Sequence, residues 1–72
     1  MTDVVIHSEP VELYKILKFE GLANSGGQAK QMISDGLVQV NDEVETRKRR
    51  KIHAGDRLEF QGQRLTIVLA PA

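Results

Sequence analysis

The chain has no cysteine and no tryptophan, and its only rings besides histidine are Tyr14, Phe19 and Phe60. Without cysteine no disulfide can staple it and no thiolate can hold zinc. The absence is compatible with a reducing compartment. No apolar run nears the roughly 20 residues that span a bilayer; the longest lies around Leu65 to Ala70. The N-terminal MTDVVIHSEP has an aspartate but no lysine or arginine, so it lacks the basic start of a secretory signal. There is no internal repeat, low-complexity tract or linker. One soluble, cytoplasmic domain spanning residues 1–72 is the expectation, with no membrane partner.

Catalytic constellations are missing as well. His7 and His53 have no carboxylate cluster around them, so no metal site is expected. Ser25 has no G-x-S-x-G setting, and Gly26-Gly27 lacks the lysine and hydroxyl of a P-loop. The expectation is a protein without enzymatic activity or cofactor.

What is present is a strongly uneven charge. Ten basic and ten acidic residues cancel. Yet residues 1–46 hold Lys15, Lys18 and Lys30 against eight acids, a balance of −5. Residues 47–72 hold seven cations against Asp56 and Glu59, a balance of +5. Such separation gives the molecule a directional field.

The hydrophobic pattern alternates between helical and strand periods. Val4, Val5 and Ile6 suit a strand. Leu13, Ile16 and Leu17 then recur at helical spacing, predicting a helix from Pro10 to Glu20 with Ser8 or Glu9 as cap. Gly21 stops it in the left-handed manner, and Leu22 can fold back on Leu17. Ser25 with Gln28 fits a capping box for a second helix, whose apolar face is Ala29, Met32 and Ile33. Asp35-Gly36 ends it, with Leu37 placed to touch Met32.

Val38 and Val40 predict a half-buried strand, Asn41-Asp42 a turn, and Val44 a second strand. After the basic run and Ile52, a turn at His53 to Asp56 leads to Arg57–Phe60. Gln61-Gly62-Gln63 reads as a three-residue hairpin loop, with Arg64–Leu69 returning. The fold class is α+β: two short packed helices on a small, mainly antiparallel sheet of four to five strands. The expected core is Val5, Leu13, Ile16, Leu17, Leu22, Ala29, Met32, Ile33, Leu37, Val38, Val40, Ile52, Leu58, Phe60, Leu65, Ile67 and Leu69. A 72-residue chain hides only about 60% of its unfolded surface. Few apolar side chains remain for a deep ligand pocket.

Arg47, Lys48, Arg49, Arg50 and Lys51 form an uninterrupted run of cations. Neighbouring charges about 7 Å apart in water repel by about 0.6 kcal/mol before screening. A polyanion relieves that repulsion and releases counterions; five occupied phosphates give a log–log salt slope of about −4. The competing explanation is a solvated edge whose cations prevent sheet aggregation. The Ser25-Gly26-Gly27 helix start adds free backbone N–H groups that favour anions, with Lys30 one turn inside. His53, beside the basic run, is a further candidate phosphate contact. A sheet that stacks unpaired bases needs more exposed rings than three aromatics provide. Recognition through phosphates and backbone shape follows, which favours structured RNA.

The ordered combination S-G-G-Q-A-K-x-x-I-x-x-G-L-V-x-V-N, a basic run and I-x-A-G-D-x-L-x-F resembles the S4 RNA-binding domain family, in its small stand-alone bacterial form. The resemblance covers about residues 11–60. It implies an αL motif, two helices and the following loop, that faces rRNA or tRNA. On that mapping Ser25, Gly26, Gly27, Gln28, Lys30 and Gln31 begin the recognising helix, with Lys18 on the first helix. Arg47, Lys48, Arg49, Arg50, Lys51 and His53 lie beside it, while Gly36, Val38, Val40, Asn41, Gly55 and Asp56 shape the motif. The implied protein is a monomeric binder of structured RNA, associated with ribosomes, with room for a protein partner. A protein-interaction adaptor in ribosome or RNA-modification complexes is the alternative. Duplex DNA readout fits less well, because the helices lack an arginine- or asparagine-rich face.

Overall fold

The computed structural model describes residues 2–71. Its elements are β1 (Thr2–Ile6), β2 (Val11–Glu12), α1 (Leu13–Phe19), α2 (Gly26–Ser34), β3 (Val38–Val40), β4 (Glu43–Val44), β5 (Lys51–Ile52), β6 (Arg57–Phe60) and β7 (Gln63–Leu69). Five strands form one sheet in the order β1-β7-β6-β3-β4, and β2 pairs with β5 in a separate ribbon. Every pairing is antiparallel except that of β1 with β7. The expected α+β architecture is therefore present, with a mixed sheet.

The helices and one sheet face share a single core. Leu13, Ile16 and Leu17 of α1 and Ala29, Met32 and Ile33 of α2 pack with Val38, Val40, Leu58, Phe60, Leu65 and Ile67. Ile52, alone after the basic run, is fully buried. Three expected core residues are exposed instead: Val5 (53%), Leu37 (51%) and Leu69 (43%). In β1 the register sets Val4 opposite Ile67 and Ile6 opposite Leu69, so Val4 and Ile6 point inward and Val5 outward. Leu37 bonds Met32 through its backbone, and Leu69 is the last residue of β7. Ala23 is buried although it was not expected to be.

The first helix starts at Leu13, three residues later than Pro10. Val11 and Glu12 are drawn into pairing with Ile52 and Lys51. Neither Ser8 nor Glu9 caps it. Glu12 occupies the N-cap position without a side-chain bond, and Glu9 accepts from the Ala54 N–H at 2.8 Å. Both helices end as the glycines predict. At Gly21 (φ +74°) the Leu22 N–H reaches the Leu17 carbonyl at 3.0 Å, and at Gly36 (φ +76°) the Leu37 N–H reaches Met32 at 3.2 Å. Both are Schellman endings.

The β3–β4 and β6–β7 hairpins turn on two residues each, Asn41-Asp42 and Gln61-Gly62, all four with positive φ. This is the I′ geometry that matches strand twist. The second loop is thus one residue shorter than expected, because Gln63 already pairs with Phe60. Asp56 fixes the turn before β6, accepting from the His53 N–H at 2.8 Å and the Asn41 amide at 3.1 Å. Burial pushes its carboxyl up; those hydrogen bonds together with nearby positive charge, Arg50 included, outweigh it and hold it below the usual aspartate range.

Candidate nucleic-acid interface

The basic run links β4 to β5 as a tight turn, with the Arg50 N–H donating to the Arg47 carbonyl at 3.2 Å. Its backbone is docked. The carbonyls of Arg50 and Lys48 accept from the N–H groups of Leu13 and Tyr14 at 2.9 and 3.2 Å. These are the orphan donors of the α1 start, which lacks a side-chain cap. The turn therefore seals a helix end with its main chain and leaves its side chains to point elsewhere.

Beneath the turn lies Glu45, only 6% exposed. Its carboxylate accepts from the Arg47 backbone N–H (3.0 Å), Arg47 Nε (3.1 Å) and Nη2 (3.0 Å), and Arg50 Nη1 (2.8 Å). A buried carboxylate is costly unless charged donors surround it. The Arg47 side-chain hydrogen bond dominates, outweighs the opposing effect of burial, and with Arg50 lowers the Glu45 pKa to about 2. The same contact raises that of Arg47.

The Arg47 side chain is itself 74% exposed and that of Arg50 30%, so it is the shared carboxylate rather than burial that sets Arg47 apart. Lys48, Arg49 and Lys51 face solvent. Lys48 and Lys51 form no ion pair among the described residues, and Arg49 is only loosely paired, 3.6 Å from Glu12. Glu12 also holds Lys15, at 3.4 Å. Arg47, Arg49, Arg50 and Lys51 line an open depression. His53 is exposed just beyond, with its backbone tied to Asp56.

The α2 start adjoins this surface through Tyr14. The Tyr14 N–H bonds the basic turn, while its ring lies against Gly26, where an added Cβ would sit 3.7 Å away. Lys30 Nζ stands 4.7 Å from the ring centroid, in cation–π range. Ser25 Oγ caps α2 by accepting from the Gln28 N–H at 3.1 Å. The Gln28 side chain accepts from the Asn24 N–H, one residue before the position a standard capping box uses. Gly27 is exposed.

The structure thus brings Ser25, Gly26, Gly27 and Lys30 together with the basic turn. Lys18 stands apart, in the last turn of α1 at the end away from Leu13. Gln31 turns its amide to Asp35, at 2.8 Å. Sequence reasoning missed Glu45 and Tyr14. The available signal for Glu45 was an acid two residues before five cations. Tyr14 gave none, because its role depends on a helix twelve residues away.

An S4 domain family model matches residues 4–68, and the chain belongs to that family. Among its relatives is the protein named "Putative RNA-binding protein YbcJ" of Escherichia coli strain K12, 50% identical over 58 residues, covering 81% of this chain and 83% of the relative. The solution structure of E. coli YbcJ, described as revealing an αL motif involved in RNA binding, is similar with a TM-score of 0.71 and 45% identity. The likeness covers 94% of this chain and 87% of that one. The "Probable ribosome maturation protein RlbA" of Bacillus subtilis strain 168 is 39% identical over 59 residues, covering 82% of this chain and 83% of the relative.

Proposed function

We propose that this protein is a non-enzymatic, single-domain RNA-binding module that holds structured RNA of the rRNA or tRNA class. The observation that carries this reading is one continuous surface on which exposed Lys48, Arg49 and Lys51 adjoin the α2 start and Lys30 through Tyr14. Cations on a docked backbone attract phosphate with little ordering cost, and free N–H groups at a helix start donate hydrogen bonds to the same ligand. The apolar groove between β1 and α1 has a volume of about 160 Å³, below the ~300 Å³ of typical small-ligand sites. The descriptions of YbcJ and RlbA agree with RNA and with ribosome maturation as its setting. The module works as a cytoplasmic monomer.

A charge reversal tests it. Arg50 is a poor choice, since a new carboxylate there would face buried Glu45. Lys48→Glu with Arg49→Glu alters two exposed side chains and removes only the loose, solvent-screened pair of Arg49 with Glu12. Affinity for a structured rRNA fragment, followed by fluorescence anisotropy at 150 mM salt, should fall at least tenfold while the melting temperature holds. Unchanged affinity would sink the reading.

The second reading, a protein adaptor, has one observation behind it: Phe19 (68% exposed) and Val5 line that apolar groove. Complexes that survive nuclease and high salt would favour it.

A further inference from the structure

Five adjacent cations need not act alike, and here they occupy three environments. Arg47 and Arg50 stand at the first and last positions of the tight turn. Both guanidinium groups turn back to the same carboxylate, which receives all four of the hydrogen bonds described above. Lys48 and Arg49 are the two central residues of that turn, its apex, and both are exposed. Lys51 begins β5 with its side chain on the face opposite buried Ile52.

We propose that Glu45 is a positioning residue that divides the basic run into two struts, Arg47 and Arg50, and a phosphate-facing set, Lys48, Arg49 and Lys51. The assignment rests on the RNA reading above and deepens it. Two guanidiniums that share one carboxylate present about one net charge between them. A phosphate that draws Arg50 away also strips the buried Glu45 carboxylate of one of its two charged donors, at a desolvation cost. Of the apex residues, Lys48 has no ion pair among the described residues, and Arg49 has only the loose 3.6 Å contact with partly exposed Glu12. Their backbone is nonetheless fixed, because the Lys48 and Arg50 carbonyls seal the α1 start. Glu45 thereby trades two free cations for a turn that holds the other three in place.

This division predicts opposite signatures in two measurements. The ligand used is a 20-base-pair A-form RNA hairpin, with affinity measured from 50 to 300 mM salt; thermal melting is measured without RNA. Lys48→Gln, Arg49→Gln and Lys51→Gln should each flatten the log–log salt slope by about one and leave the melting temperature within about 1 °C. Arg47→Gln and Arg50→Gln should lower the melting temperature by about 5 °C or more and flatten the slope by less than about half a unit. Glu45→Gln should lower the melting temperature and steepen the slope by about one, because freed arginines then reach phosphate. A residue that merely supported the fold would shift the melt without moving the slope. Equal slope losses at all five positions, or an unchanged slope in Glu45→Gln, would overturn the division while leaving the RNA reading standing. A wild-type protein with no salt-dependent affinity for the hairpin would take down both.

Discussion

At the scale of single residues, Glu45 decides how the most charged segment behaves. Its carboxyl titrates at about 2 in the folded chain against an ordinary 4.5. Between those values the unfolded chain binds the proton that the folded chain refuses. The stability it contributes is fully present above pH ~4.5 and is lost as pH falls toward 2. The urea midpoint should therefore drop between pH 6 and pH 3, and Glu45→Gln should shrink that drop. Asp56, also held below its usual range, supplies a smaller share of the same sign. An acid response as large in Glu45→Gln as in the wild type would show that the carboxylate is not the source. Apart from its place two residues before the basic run, nothing in a residue-by-residue reading separates Glu45 from the other seven acids of the first 46 residues. What separates it is burial, which depends on strands that meet only in the folded chain.

At the scale of elements, legibility follows the range of the forces. Gly21, Gly36 and Ser25 act on neighbours within five residues, and their stops and cap appear as the sequence predicts. Ser25→Ala should cost about 1 kcal/mol, read as a shift in the denaturation midpoint, because one N–H of α2 loses its acceptor. The β2–β5 ribbon is two residues long on each side, too short for any period to show, and it joins positions about forty residues apart. Its formation moves the start of α1 from Pro10 to Leu13. The phase of β1 was equally hidden, since Val4, Val5 and Ile6 are alike in propensity and only the parallel register with β7 picks a face. Val4→Ala should accordingly cost about 2 kcal/mol, whereas Val5→Ala, on an exposed side chain, should cost less than about 0.5 kcal/mol. Equal losses at the two positions would contradict the register. The candidate interface was legible as a basic run and a glycine-rich helix start. The Tyr14 contact that joins them was not.

At the scale of the whole molecule, zero net charge does not mean a neutral surface. Five of the ten cations gather in the basic run, while Asp3, Glu20 and Glu43 are exposed and form no ion pair among the described residues. Unpaired acids contribute little to stability, so their effect is on what the remaining surface attracts. A polyanion meets repulsion at these acids and attraction at the turn. Asp3→Asn, Glu20→Gln and Glu43→Gln together raise the formal charge from 0 to +3 without touching the basic turn. The fold should hold, because all three side chains are exposed. Binding should lose its orientation: more copies should load onto a long RNA duplex, and Lys48→Glu with Arg49→Glu should weaken binding less in this background than in the wild type. Sedimentation of the saturated duplex gives the stoichiometry, and anisotropy gives the second comparison. If stoichiometry and the effect of the double reversal are both unchanged, the acids play no part in directing RNA to the turn, and the turn's own geometry suffices.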